Sequence, residues 1–310
     1  MCGLFGFTCY GQTINNLSEL TNSLSFESAV RGTDATGIAY FRDGNLQITK
    51  DAKSAYNLKF KHSDDIRALI GHTRHSTKGS EKKNQNNHPF CGKLKSGKFA
   101  LAHNGVLTND QRLRHTFSLP KTKIETDSYI AVQLIEQQKK IDFESIAWMA
   151  EQVEGSFSFS ILDNENHLYL VKGDSPLSIL HFPTRQIFVY ASTDEILFKA
   201  LIDSPLFDDL KSKNYEPILL TEGTILRIAS DGTIDRKEFQ YRDYYGLGWW
   251  EYGTLSHTYT QNLSDSLREE YIEDLKTFAA YQGIDEETID ILLKEGWSFE
   301  DIEEFIYCPY

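Results

Sequence analysis

Short apolar segments bounded by turn residues dominate the first 240 residues of this 310-residue chain. Their lengths are typical of β-strands, and the pairs Asp43-Gly44 and Asp231-Gly232 mark hairpin turns. The predicted strands are 4–8, 37–41, 46–49, 69–73, 99–102, 156–162, 168–171, 178–182, 187–191, 224–228 and 233–239. Apolar residues at helical spacing predict helices, which are 16–30, 127–139, 143–153 and 193–202. The chain therefore begins with a domain of many short strands and a few helices.

The C-terminal residues 264–310 have a different composition. They contain 14 acidic and 3 basic residues, so they carry −11 of the chain's net charge of −13. Ser266 and Glu269 have the spacing of a helical capping box, and apolar residues follow at helical spacing. We expect three domains or segments: a domain at 1–240, an aromatic and Gly-rich connector at 241–263, and an acidic three-helix module at 264–310.

Two roles are open for this acidic module. It can dock a partner with a basic surface, with Trp297 and Phe299 as apolar anchors, because aromatic residues dominate binding hot spots. Alternatively, the two aromatic side chains form the core of the module itself, or the module covers an edge of the first domain. In each case we expect it to take no part in the chemistry.

Charge and composition exclude several classes of protein. A chain with 45 acidic and 32 basic residues repels nucleic acid and acidic membrane surfaces, so neither is an expected partner. No stretch is long and apolar enough for a membrane helix, and the N-terminus does not resemble a secretory signal. The four cysteines show no Cys-x-x-Cys spacing, which favours free thiols in a cytoplasmic protein, and we expect no metal and no cofactor.

Cys2 is the residue with the most informative position. If Met1 is removed, Cys2 carries a thiol and a free α-amino group on one residue. An α-amine has a pKa of roughly 8, so it can act as the base for the thiol without a separate histidine. An inert cysteine buried in the first strand is an equally compatible interpretation of this residue alone.

The surrounding fragments favour the first interpretation. Residues 1–6 read Met-Cys-Gly-Leu-Phe-Gly, and a series of short motifs follows in a fixed order. The other motifs are Arg-Gly-Thr-Asp-Ala-Thr-Gly at 31–37, Gly-His-Thr-Arg-His-Ser-Thr at 71–77, Asn-His-Pro at 87–89, His-Asn-Gly at 103–105, Glu-Thr-Asp at 125–127, Gly-Ser-Phe at 155–157, Asp-Ser-Pro-Leu at 174–177 and Ala-Ser-Thr-Asp at 191–194. Together they resemble the class II glutamine amidotransferases, such as the glutaminase domains of glucosamine-fructose-6-phosphate synthase and amidophosphoribosyltransferase.

This resemblance implies a fold and a reaction. The fold is α+β, the four-layer αββα sandwich of the N-terminal-nucleophile hydrolases, and the substrate is L-glutamine. By resemblance, Cys2 attacks the side-chain amide and forms a thioester. Asn104 and Gly105 donate hydrogen bonds to the oxyanion.

The same resemblance assigns the residues that bind glutamine. Arg74 holds the α-carboxylate, Asp127 binds the ammonium group, and Thr77 hydrogen-bonds the bound amino acid. Arg31 is assigned to the loop that holds the nucleophile. Taken singly, these residues have plainer interpretations: Asn104-Gly105 as a turn pair, Asp127 as a helix N-cap, and Arg74 as a surface residue in a loop.

Two features depart from the family pattern. Lys78-Gly79 stands where His-Gly is frequent, and His75 stands where an aromatic residue such as Trp is common. Both lie in the loop expected to close over glutamine. No phosphate-binding loop follows the glutaminase-like part, so we expect a synthase or acceptor on another chain. A stand-alone glutaminase is a second possibility, and a catalytically silent amidotransferase-like binding or regulatory protein is a third.

Overall fold

The strands predicted from the sequence pair into two antiparallel sheets in the computed structural model of the chain. The structure describes residues 2–11, 13–241, 284–295 and 297, and the single positions 272, 276, 279, 280, 302 and 305. The strands are Gly3–Cys9 (β1), Ala35–Arg42 (β2), Asn45–Asp51 (β3), Ala68–Arg74 (β4), Phe90–Leu94 (β5), Gly97–Leu107 (β6), Gly155–Asp163 (β7), Leu168–Lys172 (β8), Ser178–Phe182 (β9), Ile187–Ala191 (β10), Glu216–Pro217 (β11), Thr224–Ile228 (β12) and Ile234–Glu238 (β13). The helices are Leu17–Ser28 (α1), Asp110–Thr116 (α2), Tyr129–Gln138 (α3), Phe143–Gln152 (α4), Asp194–Ile202 (α5), Phe207–Lys211 (α6) and Glu286–Lys294 (α7).

In the described part of the chain, the strands form one sheet of seven strands and one of six. The first has the order β11-β9-β10-β1-β4-β2-β3, and the second has the order β13-β12-β8-β7-β6-β5. Strand β1 lies in the interior of its sheet, paired with β10 on one side and with β4 on the other. The segment that begins at the N-terminus is therefore held by a strand on each side.

The alternation of side chains along β1 shows how the layers stack. Leu4 packs into the apolar core that lies between the two sheets, whereas Phe5 and Phe7 pack on the opposite face with α1 and α5. Successive side chains of a strand point to opposite faces, so a strand covered on both sides is apolar throughout. A third core lies under α3 and α4 on the outer face of the second sheet. The order is helix, sheet, sheet, helix, which is the four-layer αββα sandwich expected from the resemblance.

Most of the predicted strands and helices agree with the structure to within a few residues. Thr193 caps α5 as expected, because its Oγ1 accepts a hydrogen bond from the Ile196 N–H at 3.3 Å. Four elements were missed: the strands β5 and β11, and the helices α2, which begins at Asp110, and α6. Strand β6 also continues past the predicted end to Leu107, so Asn104 and Gly105 lie within a strand and the turn-pair interpretation is wrong.

The chain divides into two compact units, Met1–Tyr244 and Tyr245–Tyr310. In the second unit, Asp285 caps α7 through a hydrogen bond from the Glu287 N–H, as the predicted helix there requires. Its described apolar side chains form one small cluster: Ala279, Ile289, Leu292 and Ile302. Several expectations lie outside the described residues: the connector apart from Tyr241, the capping box at Ser266 and Glu269, and the side chain of Phe299. None of the described helices is both long enough and apolar enough to cross a membrane.

Three buried histidines lie close to one another. The His72 Nε2 lies 2.9 Å from the carbonyl oxygen of His103, and the His103 Nδ1 lies 2.8 Å from the Ser128 Oγ. The His88 ring packs at a tilt against the His72 ring with centroids 4.1 Å apart, but neither of its ring nitrogens has a hydrogen-bond partner among the described residues. From the sequence we expect His72, His88 and His103 to be satisfied structural histidines rather than metal ligands, and for His88 this expectation is wrong. Among the described residues, no group of three or more His, Cys, Asp or Glu side chains is placed to hold a metal ion.

Burial keeps these rings neutral. It lowers the pKa of His72 to about 3 and lowers the pKa of His88 well below the ordinary histidine value, with the neighbouring histidines as a smaller cause. An unfolded histidine has a pKa of roughly 6.5, so the unfolded chain takes up these protons first as the pH falls. Their contribution to stability is therefore present above that pH and is lost as the pH falls towards the folded-state values.

We predict that His88→Phe reduces this acid sensitivity. The phenylalanine ring of the variant cannot be protonated, so the free energy of unfolding should fall less steeply between about pH 6.5 and pH 5.5, by up to about 1.4 kcal/mol per pH unit. Urea unfolding of both proteins at several pH values measures this slope. The difference at neutral pH reports packing alone and serves as the control. Equal slopes for the two proteins would contradict the prediction.

Candidate active site

Cys2 lies directly before β1, beside the end of β4. The pairing of Gly3 with Thr73 brings the two strand ends together, so Cys2 is next to Arg74. The His75 N–H donates to the Cys2 Sγ at 3.4 Å, and the Arg31 Nε donates to the Cys2 carbonyl oxygen at 2.7 Å. Two neighbouring segments therefore hold the residue before the first strand.

The surroundings of the thiol keep it protonated. Burial raises the pKa of the Cys2 thiol above its ordinary value. The hydrogen bond from the His75 backbone and the positive charge of Arg74 lower this pKa, while the carboxylate of Asp127 raises it. Because the net shift is upwards, the thiol is not activated by its surroundings alone. A nucleophilic attack from this position requires a base close to the Sγ.

Asn104 and Gly105 lie near the end of β6, on the second sheet. The contact between the His72 side chain and the His103 carbonyl joins β6 to the strand that ends at Arg74, so the two sheets meet at this end. Asn104 is buried, and within the described part of the chain its Nδ2 donor has no hydrogen-bond partner. A buried amide donor without a partner is costly, typically by about 1–3 kcal/mol. The Asn104 Nδ2 can therefore donate a hydrogen bond to an acceptor atom of a ligand.

Gly105 has a backbone conformation that other residues avoid. Its φ is 131°, and a Cβ at this position would lie 1.9 Å from the Ser156 carbonyl oxygen. Glycine is therefore required for the chain to pass this close to β7. The requirement fixes the path of the backbone immediately after the Asn104 side chain.

Arg74 is buried at the end of β4, so the interpretation as a surface residue is wrong. Its Nη1 donates to the Asn87 Oδ1 at 2.8 Å. Its Nη2 donates to the carbonyl oxygens of Lys78 and Gly79 at 2.7 and 2.6 Å. The guanidinium thus holds the following loop, and these three bonds leave the Nε–H and one Nη1 hydrogen for a ligand.

Asp127 is a buried carboxylate that precedes α3. Its Oδ2 accepts a hydrogen bond from the Leu107 N–H at 2.6 Å, and its Oδ1 accepts one from the Ser128 hydroxyl at 3.3 Å. The N-cap position of α3 is Ser128, so the N-cap interpretation of Asp127 is wrong. Within the described ranges, no cationic side chain forms an ion pair with Asp127. A buried carboxylate without a cation fits a ligand that supplies one.

Thr77 differs from the other predicted site residues. It is exposed in the loop after Arg74, and no hydrogen bond joins it to the other site residues in the part of the chain that is described. The structure thus brings Arg31 into contact with Cys2 and places Arg74 at the neighbouring strand end. Asn104, Gly105 and Asp127 follow on the neighbouring segments, and Thr77 stays at the rim.

Two further residues take part in the site geometry. Asn87 is fully buried and holds Arg74, and Asp34 accepts a hydrogen bond from the Ser76 N–H at 2.7 Å. Both occur within motifs recognised in the sequence, but their residue types alone gave no reason to assign them these partners. The contact of Lys78 with Asp110 had no sequence signal, because Asp110 lies outside every motif.

Comparison with known proteins identifies a family and several relatives. A family described as "Glutamine amidotransferase domain" matches residues 72–199. A glutamine–fructose-6-phosphate aminotransferase of Streptococcus agalactiae serotype III (strain NEM316) is 31% identical over 188 residues, which is 58% of this chain and 30% of the relative. The corresponding protein of Staphylococcus aureus (strain Mu50) is 32% identical over 186 residues, 57% of this chain and 30% of the relative. The chain thus matches less than a third of the length of these relatives.

The fold also matches a solved structure. The glutamine phosphoribosylpyrophosphate amidotransferase from B. subtilis, in complex with ADP and GMP, superposes with a TM-score of 0.61 at 19% sequence identity. The match covers 78% of this chain and 50% of the other. At 19% identity this structural match supports only the fold. The type of domain is supported by the family match and by the curated relatives. The chain therefore contains a class II glutamine amidotransferase domain with the N-terminal-nucleophile hydrolase fold.

Proposed function

We propose that this protein hydrolyses the side-chain amide of L-glutamine through Cys2 after Met1 has been removed. One observation carries the proposal: three buried groups near one another each lack the partner that glutamine supplies. Among the residues that the structure describes, Arg74 retains donors for a carboxylate, Asp127 has no cationic partner, and the Asn104 Nδ2 has no acceptor. The ligand has an α-carboxylate, an α-ammonium group and an amide oxygen, which meet these three needs.

The reaction begins with the proton of the Cys2 thiol. The free α-amine takes this proton while the Sγ attacks the amide carbon, and the amide oxygen becomes an oxyanion. Asn104 Nδ2 and the Gly105 N–H donate to that oxygen. The ammonium then returns a proton to the leaving nitrogen, ammonia departs, and a thioester remains. Water attacks the thioester, so that glutamate is released and the thiol is restored.

The ammonia is proposed to reach an acceptor on a synthase partner. The curated relatives are named glutamine–fructose-6-phosphate aminotransferases, and the chain matches 30% of their length. The partner chain, and not residues 1–240, would then determine which molecule accepts the ammonia. We also propose that residues 264–310, with their net charge of −11, form a three-helix module that docks such a partner and takes no part in the chemistry.

We predict that Cys2→Ala abolishes ammonia release from glutamine but preserves folding and glutamine binding, because only the nucleophile is lost. The measurements are coupled ammonia detection, thermal unfolding and calorimetric binding, on protein whose intact mass shows that Met1 is absent. Cys91→Ala is the matched control, since Cys91 is a half-buried thiol on β5 and should leave turnover unchanged. If processed wild-type protein releases no ammonia, even with candidate partners present, the proposal is wrong.

A second prediction concerns the oxyanion donor. Asn104→Ala should lower kcat by about 10²–10³-fold with little change in KM, because the missing donor acts chiefly in the transition state. Steady-state ammonia release gives both constants, and thermal unfolding checks that the strand is intact. If the variant instead shows a higher KM with an unchanged kcat, Asn104 acts in ground-state binding, and its proposed role at the oxyanion is wrong.

A third prediction tests the acidic module. A chain that ends at residue 263 should fold and hydrolyse glutamine with unchanged constants, because every proposed site residue lies before it. Binding to a synthase partner should be lost, and in the full chain it should weaken as salt screens the acidic charge. Loss of hydrolysis in a folded truncated protein would show that the module contributes to the chemistry. If the truncated chain does not fold, the module has a structural role and the docking proposal is wrong.

A further inference from the structure

The loop at residues 75–79 forms one wall of the proposed glutamine site. Its first residue, His75, donates its N–H to the Cys2 Sγ at 3.4 Å. Its last two carbonyl oxygens, those of Lys78 and Gly79, accept from the Arg74 Nη2. A displacement of this loop therefore alters both the cover of the thiol and the donors that Arg74 has available for a carboxylate.

Lys78 ties this loop to the opposite wall. Its Nζ donates to the Asp110 Oδ1 at 2.7 Å. Asp110 is the first residue of α2, which follows β6, the strand that carries Asn104 and Gly105. The ion pair thus joins the loop after β4, on the nucleophile side, to the segment after β6, on the oxyanion side.

The two partners of this ion pair differ in burial. The Asp110 side chain is 3% exposed, whereas the Lys78 side chain is 43% exposed. An ion pair between two exposed groups contributes little, but a buried carboxylate depends on its partners. Asp110 keeps two other neighbours, because the Gln111 Nε2 lies 3.2 Å and the Arg114 Nε lies 4.0 Å from its Oδ2. Lys78 can therefore leave for solvent without stranding the carboxylate.

We propose that the Lys78–Asp110 ion pair is the latch that holds loop 75–79 closed over the glutamine site, and that Lys78 is a positioning residue for glutamine binding. The proposal deepens the proposed function and rests on it. Lys78 occupies the position where the family frequently has histidine, so this chain closes its loop with a long cationic side chain and a buried carboxylate from the other wall. The closed loop keeps the bound amino acid from leaving, so the latch acts on affinity.

The test compares Lys78→Met, Asp110→Asn and the double variant with wild type. Each single variant should raise the KM for glutamine by about five- to tenfold and leave kcat nearly unchanged, as expected for a lost coupling of about 1 kcal/mol between loop and helix. The double variant should be no worse than the single variants, because the same contact is lost only once. Lys78→Arg, whose side chain is also cationic and of similar length, should retain most of the wild-type affinity for glutamine.

Lys83→Met is the matched control. Lys83 follows in the same segment and pairs with Glu125, but both of these side chains are largely exposed. Its removal should leave the KM for glutamine and the cover of Cys2 unchanged. A rise in KM equal to that of Lys78→Met would show that any lost charge in this segment has the same effect, and would overturn the latch.

A second readout does not need glutamine turnover. The rate of Cys2 alkylation by iodoacetamide, mapped by peptide mass, should rise several-fold in Lys78→Met and Asp110→Asn, because His75 covers the Sγ only while the loop is closed. If wild type does not hydrolyse glutamine but the alkylation rates change as expected, the proposed function fails and the latch stands. If the variants unfold at lower temperature while KM and alkylation stay at wild-type values, the ion pair only stabilises α2, and the latch is wrong.

Discussion

The pairing of β1 with β4 is the constraint on which the proposed site depends. Both strands lie in the interior of their sheet, and their register sets Gly3 opposite Thr73. A slip of one residue would move Leu4 out of the core between the sheets and put Phe5 into it, so burial on both faces specifies the register strongly. Cys2 and Arg74 are therefore neighbours because two core strands end together, and the loops beyond them are held by hydrogen bonds to these ends.

Much of this arrangement could be predicted from the sequence, because its signals are local. Strand length, turn pairs and helix caps depend on a few adjacent residues, and the predicted bounds of β9 and β10 agree with the structure. The motif order indicated the family and therefore the sandwich. Strand β5 was missed because Phe90-Cys91-Gly92-Lys93-Leu94 contains a glycine and a lysine within five residues, and it forms an edge strand whose packing compensates for weak propensity.

The partners of the polar groups could not be predicted in the same way, because they come from segments distant in sequence. Asp127 receives the N–H of Leu107, Arg74 is held by Asn87, and Lys78 reaches Asp110 on a helix that the sequence pattern did not reveal. Asn104-Gly105 has the composition of a turn, and only the approach of β7 shows that the glycine is required within a strand. Residue types indicated which groups can act, whereas the fold determined which of their hydrogen-bonding positions stay open.

Burial links the two halves of the proposed chemistry. Cys2 is half-buried, and this burial raises the pKa of its thiol and keeps it neutral, although it would also limit the access of water to a thioester. His72 and His88 are poor bases, because burial lowers the pKa of His72 to about 3 and that of His88 well below its ordinary value. His75 contacts the Sγ through its backbone N–H, while its side chain is 58% exposed and its Nδ1 lies 3.9 Å from the Asp34 carboxylate. An α-amine on Cys2 itself requires no additional space and no second element to position it. For a thiol whose pKa is raised in this way, the removal of Met1 would supply a base on the same residue, which makes processing of the N-terminus a chemical requirement of the proposed reaction.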